Sequence, residues 1–301
     1  MADLENVGEV RSTVLEIGAQ RTPHIADILI AERGERIVNS RWWPLLRPIL
    51  YRILHYHDAV RMADEMSPLP GKAAMDYVSR RLSIELDVTG LERIPRTGAF
   101  ILAANHPTGI ADGVAVWDAL TRVRQDVAIF TNRDAVRINP RLSEFLIPVE
   151  WREAFRDRTK MRETLMMSSR AFREERAVVL FPSGRIAYWK DGRLNERPWQ
   201  TSAITLARKQ DVPILPVNVQ SRNSGLFYWF ANWNTELRDM TVFHELLNKR
   251  GKTFRISIGP LIPQEHFAEG DPAEVTERLQ SHVVHRLATD PDAEFRASTL
   301  R

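Results

Sequence analysis

The chain has 301 residues, of which 44% are hydrophobic and 27% charged, a composition typical of a folded globular protein. Because it contains no cysteine, disulfides, thiolate metal sites and a cysteine nucleophile are excluded. A net charge of +3 without a nucleic-acid-binding motif gives no reason to expect a nucleic-acid partner. The first residues are acidic and polar, unlike a secretory signal, and no run approaches the ~18 apolar residues of a membrane-spanning helix. We therefore expect a cytoplasmic protein, either soluble or bound to a membrane surface.

The N-terminal part of the chain is predicted to be helical. One amphipathic pattern lies near residues 25–38. The segment 41–59 (RWWPLLRPILYRILHYHDA) repeats apolar residues at helical spacing, together with arginines and flanking aromatic residues. This pattern fits a helix in the head-group layer of a membrane, and equally a helix that packs on the main domain. The breaker cluster 67–72 marks a boundary, which divides the chain into an N-terminal element, 1–70, and a main domain, 71–301.

Strand-like and helical patterns alternate from residue 84 onward, which indicates an α/β layered fold with functional groups at the strand ends. The predicted strands are 84–88, 99–104, 127–131, 177–181, 212–219 and 254–258. The predicted helices are 73–82, 112–122, 160–175, 201–209, 242–248 and 273–287.

A histidine and an aspartate follow the apolar strand 99–104. His106 comes directly after the strand, and Asp112 lies six residues later, where the next helix should begin. A turn containing glycine allows the chain to fold back, so that Asp112 reaches one ring nitrogen while the other faces the site. This arrangement makes histidine a competent general base. Spacing alone equally permits Asp112 to be a helix cap and His106 a loop residue.

Polar residues also follow two other predicted strands. The turn after strand 177–181 contains Ser183, Gly184 and Arg185, whose backbone N–H groups and guanidinium suit a phosphate or an oxyanion. Arg222 and Asn223 come just after strand 212–219. Each segment is also compatible with an ordinary turn.

The motifs NHPTGIADG, FPSGRIA and VPILPV occur in this order, and together they resemble the lysophospholipid and glycerol-phosphate acyltransferase superfamily. Within it the chain is similar to the hemolysin-like branch, which includes the acyltransferases of ornithine-lipid synthesis. The resemblance covers roughly residues 84–265. It implies a mixed, mostly parallel sheet flanked by helices, with an N-terminal helical element that faces the inner surface of the membrane.

The resemblance also implies a role for each matching residue. His106 would accept the proton of the acceptor hydroxyl, and Asp112 would orient His106. Backbone N–H groups near Gly184 would hold the thioester oxyanion, with Arg185 near an acidic group of the substrate. The acyl donor would be acyl-carrier protein or coenzyme A, the acceptor a lyso-lipid, and we expect no further cofactor and no metal.

Two departures from the usual motifs bear on the acceptor. Five residues, rather than the commonest four, separate His106 from Asp112. Ser183 stands where the third motif usually has glutamate, and Arg185 is one place earlier than the usual arginine. Because that glutamate and arginine are associated with glycerol phosphate, their change favours another acceptor, such as a lyso-ornithine lipid or a lysophospholipid.

Asn132 and Arg133 occupy the place of the second motif, where they contact the acceptor or form a solvated strand end. The arginine-rich segment 151–162 attracts an anionic lipid or acidic carrier, or is a solvated helix face.

Two other functions remain open. A hydrolase would use His106 to activate water, and an idle lipid-binding protein would not need His106.

Overall fold

The computed structural model describes residues 23–150 and 157–296. Its helices are α1 (Ile25–Arg33), α2 (Glu35–Val38), α3 (Trp43–Ile53), α4 (Tyr56–Met66), α5 (Gly71–Leu82), α6 (Ile110–Leu120), α7 (Asp134–Ile138), α8 (Arg158–Arg173), α9 (Ser202–Gln210), α10 (Gly225–Trp233), α11 (Thr235–Met240), α12 (Val242–Leu247) and α13 (Pro272–Ser281). Its strands are β1 (Glu85–Thr89), β2 (Phe100–Ala104), β3 (Val127–Asn132), β4 (Leu146–Val149), β5 (Ala177–Leu180), β6 (Tyr188–Lys190), β7 (Arg193–Asn195), β8 (Ile214–Gln220) and β9 (Thr253–Ile258).

Seven of the described strands form one sheet in the order β1-β9-β8-β2-β5-β3-β4. Neighbouring strands are parallel except for β8 and β9, so the prediction of a mixed, mostly parallel sheet is confirmed. Because β8, β2, β5 and β3 run in the same direction, their carboxyl ends meet at one edge. The residues that follow these four strands are therefore neighbours in space.

The central strand β2 is buried on both faces, as its continuous apolar sequence predicts. Phe100 and Leu102 pack on one face with α4, α5 and α6, whereas Ile101 packs on the other face with α9 and α13. Side chains alternate across a strand, so β2 joins the two cores. Its carboxyl end is therefore held by packing on both faces of the sheet.

The predicted helix 41–59 is two helices, and this prediction is corrected in detail. The chain breaks after α3, because His55 takes a left-handed conformation with φ of 53°. The second helix, α4, continues to Met66 and contributes Met62 and Met66 to the main core. The structure also contains β4, α10, α11 and the antiparallel hairpin β6–β7, none of which the sequence pattern predicted.

Helix α3 divides its apolar residues between the protein and the solvent. Trp43 and Leu50 are buried in a cluster with Met240 of α11. Leu45 and Ile49 are 65% and 58% exposed. One side of the helix therefore packs on the protein, as one of the two readings requires, and the other side is exposed. No helix in the described parts of the chain has the length and apolar character needed to cross a membrane.

Candidate active site

His106 lies at the carboxyl end of β2, where the chain leaves the sheet. Its carbonyl accepts the N–H of Ala187 at 2.9 Å. The imidazole stacks on the ring of Phe181, with 4.4 Å between the ring centroids, and 18% of the side chain is exposed. The backbone and ring are thus held on two sides, while part of the ring stays open to solvent.

Asp112 lies in the first turn of α6 and is completely buried. Its Oδ2 is 3.0 Å from Nδ1 of His106, although the ring N–H is not aligned along that contact as a regular hydrogen bond. The same carboxylate accepts the N–H of Thr108 at 2.8 Å and of Gly109 at 2.9 Å, and the hydroxyl of Thr108. Asp112 therefore caps the helix and also contacts the His106 ring, so its position as a cap is compatible with the predicted orienting role.

The turn between His106 and Asp112 contains Gly109 in a special backbone conformation. This residue has a φ of 92°, a conformation that favours glycine. A Cβ atom here would lie 2.7 Å from Cδ1 of Ile186, closer than atoms approach. The five-residue spacing thus leaves the histidine and the aspartate in contact.

The turn after β5 lies beside β2, as its predicted role requires. Ser183 is buried, and its hydroxyl donates to the carbonyl of Arg185 at 2.9 Å. The N–H of Gly184 donates to the carbonyl of Phe181 at 2.9 Å, so this N–H is not a free oxyanion donor. The predicted oxyanion donor near Gly184 must therefore be another backbone N–H of this turn. The side chain of Arg185 is exposed at this edge.

The residues after β8 lie on the other side of β2. Arg222 is exposed, whereas Asn223 is only 4% exposed. The backbone N–H of Asn223 donates to the hydroxyl of Tyr228 at 3.1 Å, but neither amide atom of its side chain has a partner within the described residues. Because a buried amide without a partner costs about 1–3 kcal/mol, Asn223 is suited to a polar group of a ligand.

Asn132 and Arg133 end β3, which is separated from β2 by β5. Two strand spacings place them about 10 Å from the end of β2. The side-chain oxygen of Asn132 accepts the N–H of Asp134 at 3.0 Å, and Arg133 forms an ion pair with Glu163 at 2.7 Å. Both side chains thus have structural partners, and neither is brought into contact with His106.

Two polar residues of the site were not singled out by the sequence pattern. The Asn105 amide accepts the N–H of Val219 at 2.7 Å and donates to its carbonyl at 2.9 Å, which ties the end of β2 to β8. Both carboxylate oxygens of Glu196 lie 3.2 Å from the backbone N of His106. Asn105 directly precedes His106 in the sequence, and this position was a signal for it. Glu196 belongs to no recognised motif and follows a hairpin that the sequence did not predict.

The geometry combines a partly exposed imidazole, a buried carboxylate on its Nδ1 and polar residues from the two flanking strands. Nε2 is then the nitrogen available to take a proton from a substrate hydroxyl or from water. The fold and the candidate site are those of an α/β protein with a histidine–carboxylate pair at the carboxyl edge of the sheet.

Comparison with known proteins shows which enzymes the chain resembles. Residues 85–220 match the model of the family described as Acyltransferase. The chain is 24% identical to the lyso-glycine lipid O-acyltransferase of Phocaeicola vulgatus over 222 residues, which covers 72% of this chain and 76% of that protein. It is also 24% identical to the lyso-glycine lipid O-acyltransferase of Bacteroides thetaiotaomicron over 246 residues, covering 79% and 88%.

A solved structure is also similar, the 1-acyl-sn-glycerophosphate (LPA) acyltransferase PlsC from Thermotoga maritima. The TM-score is 0.45 at 16% identity, over 88% of this chain and 95% of that one. The family model and the two relatives support the predicted place of the chain in the lysophospholipid and glycerol-phosphate acyltransferase superfamily. The chain is an O-acyltransferase, as its motifs predicted.

Proposed function

We propose that this enzyme moves a fatty acyl group from an acyl-carrier-protein or coenzyme A thioester to the hydroxyl of a lyso-lipid, with His106 as the general base. The observation that carries the proposal is the 3.0 Å contact between Nδ1 of His106 and the fully buried carboxylate of Asp112. A buried carboxylate beside Nδ1 fixes the orientation of the ring and stabilises the imidazolium that forms.

Nε2 of His106 takes the proton of the acceptor hydroxyl as the hydroxyl oxygen attacks the thioester carbonyl. The resulting tetrahedral oxyanion collapses, the carbon–sulfur bond breaks, and the proton passes from His106 to the leaving thiolate. A positioned base contributes about 10²–10⁴ in rate, which is sufficient for an acyl donor that is already activated. Because the Gly184 N–H is occupied, the neighbouring N–H of Arg185, which has no acceptor within the described residues, is our candidate for the oxyanion donor.

The residues on either side of His106 support a lyso-lipid with an acidic head group. Arg185 and Arg222 are exposed at the ends of β5 and β8, which flank β2. A guanidinium binds a carboxylate or phosphate through two parallel hydrogen bonds. The two relatives are named for a glycine lipid, and the motifs resemble those of ornithine-lipid synthesis. An amino-acid lipid carries a carboxylate that either arginine can bind, and the Asn223 amide can accept or donate to its polar groups.

The exposed side of α3 supports a place for the enzyme on the cytoplasmic face of the membrane. Leu45 and Ile49 on this helix, and Trp42 just before it, are more than half exposed. Arg47 and Arg52 are exposed beside them. Large apolar residues with arginine and tryptophan are typical of a helix in the head-group layer, where a lyso-lipid acceptor is found.

The test is thiol release from acyl-carrier protein and from acyl-coenzyme A, measured with a panel of lyso-lipids for the wild type and His106→Ala. We expect release that requires one class of lyso-lipid and falls about 10³-fold in His106→Ala. Release without an acceptor would instead identify a hydrolase. No release from either donor across the panel would contradict the proposal and favour a lipid-binding protein.

A further inference from the structure

Glu196 is held firmly against the catalytic strand although it lies 90 residues away in sequence. The segment just after Glu196 is fixed by hydrogen bonds to two other parts of the fold. The N–H of Gln200 donates to the carbonyl of Pro182 at 2.9 Å, and the N–H of Trp199 donates to Gln280 of α13 at 3.1 Å. The Trp199 side chain is buried in the core beneath β2 and β5. The position of Glu196 is therefore set by the fold.

The Glu196 carboxylate receives N–H donors and no cation. Its oxygens lie 3.2 Å from the His106 backbone N, and Oε1 lies 3.3 Å from the Trp199 indole nitrogen. Ser183 has one hydroxyl proton, which either Glu196 or the carbonyl of Arg185 can accept. Burial raises the pKa of Glu196, and the contacts with Ser183, His106 and Trp199 oppose this rise.

No lysine or arginine of the described residues forms an ion pair with Glu196. A carboxylate taken out of water without a counter-cation is costly, so stability alone does not explain a buried glutamate here. The cationic group that acts on it is His106, which becomes positive when it accepts a proton. His106 thus has one carboxylate on its Nδ1 and another beside its backbone.

We propose that Glu196 is a second positioning residue of the site, which holds the backbone of His106 and places a negative charge beside the imidazolium formed during proton transfer. The inference rests on the proposed role of His106. Asp112 supplies the other negative charge around the ring. Lys249, which forms an ion pair with Glu245 at 2.9 Å, is the cation that interacts with Asp112. Glu196 acts through His106 and through the turn at Ser183, and it does not need to touch the substrate.

The decisive variant is Glu196→Gln, which keeps an oxygen that accepts the His106 N–H but removes the charge. We expect the midpoint of the His106 imidazole titration, followed by NMR, to move to lower pH by about 0.5–1 unit. We expect kcat to fall about tenfold with KM nearly unchanged. Glu196→Asp, which retains the charge, should titrate close to the wild type.

The matched control is Glu236→Gln. Oε2 of Glu236 also accepts two backbone N–H groups, those of Arg36 at 3.1 Å and Ile37 at 3.2 Å, but this residue caps α2 away from the site. The control should leave the titration and kcat as in the wild type. An unchanged His106 midpoint in Glu196→Gln, with kcat within twofold of the wild type, would overturn the inference.

The titration needs no substrate, so it separates the two proposals. A shifted midpoint in an enzyme that transfers no acyl group would refute the proposed function and support the role of Glu196. Acyl transfer with an unshifted midpoint would support the proposed function and refute the role of Glu196.

Discussion

Polar residues are usually exposed and apolar residues buried, and two regions depart from this pattern in opposite ways. They are the carboxyl edge of the sheet and the outer side of α3. At the edge, polar groups are buried, with Asp112 completely enclosed and Asn223 only 4% exposed. On α3, large apolar groups are exposed, with Leu45 at 65% and Ile49 at 58%. Isolated exposed apolar residues need no explanation, but a set on one helix side does, and so does a buried amide without a partner.

The two regions depend on different physical interactions. The sheet edge depends on hydrogen bonds and charges fixed by rigid strands, so single atoms matter there. The α3 surface depends on apolar area and net charge, so its effect is spread over several residues. Substitutions should therefore act sharply at the edge and gradually on α3.

The largest effect is expected for Asp112→Asn, which preserves shape but removes the charge beside Nδ1 of His106. The asparagine amide favours the wrong orientation or tautomer of the ring and cannot stabilise the imidazolium. We expect kcat to fall about 10³-fold, as measured by acceptor-dependent thiol release. A decrease of less than tenfold would show that Asp112 is only the cap of α6.

On α3, the double variant Leu45→Glu/Ile49→Glu should weaken binding to anionic vesicles about 100-fold, measured by flotation. Two side chains that each lose about 1.5 kcal/mol of apolar burial account for a change of this size. Acyl transfer to a lyso-lipid dissolved below its micelle concentration should change little.

The control for α3 is Leu165→Glu on α8, because Leu165 is 60% exposed, similar to Leu45 and Ile49. This variant should bind vesicles as the wild type does. Equal losses in the two variants would mean that exposed apolar area in general, and not the α3 surface, governs membrane binding.

His282 is a buried polar residue that lies away from the sheet edge. His282 is 2% exposed, neither ring nitrogen has a partner within the described residues, and its ring meets Phe295 edge-on at 5.6 Å. Burial, aided by the positive charge of Arg286, lowers the pKa of His282 from 6.5 to about 4.

Because the folded-state pKa of His282 lies below the unfolded one, the unfolded chain binds more protons as the pH falls between about 6.5 and 4. The free energy of unfolding should decrease over this window by about 2–3 kcal/mol, measured by urea denaturation. His282→Leu should flatten this dependence and leave kcat unchanged. A loss of activity in this variant at neutral pH would show that a buried polar residue away from the sheet edge also contributes to catalysis.

The sequence predicted those parts of the site that are close together in the chain. His106 and Asp112 are joined by a short turn, so their spacing was informative, and the alternation of patterns predicted the strands that bring Ser183 and Asn223 to the same edge. Glu196 could not be predicted, because it reaches the site through the hairpin β6–β7. Likewise, the break after α3 depends on the left-handed backbone of His55, which leaves no mark in the apolar periodicity.

The most direct test of acyl transfer at this edge is to follow an isotopically labelled acyl group from the donor into the lipid by mass spectrometry. The acceptors are a lyso-glycine lipid, a lyso-ornithine lipid and, for each, the same compound without its free hydroxyl. We predict a labelled ester with a hydroxyl-bearing acceptor, no product with its hydroxyl-free counterpart, and loss of the product in His106→Ala. A product that forms equally well in His106→Ala, or labelled free fatty acid in place of the ester, would contradict the account.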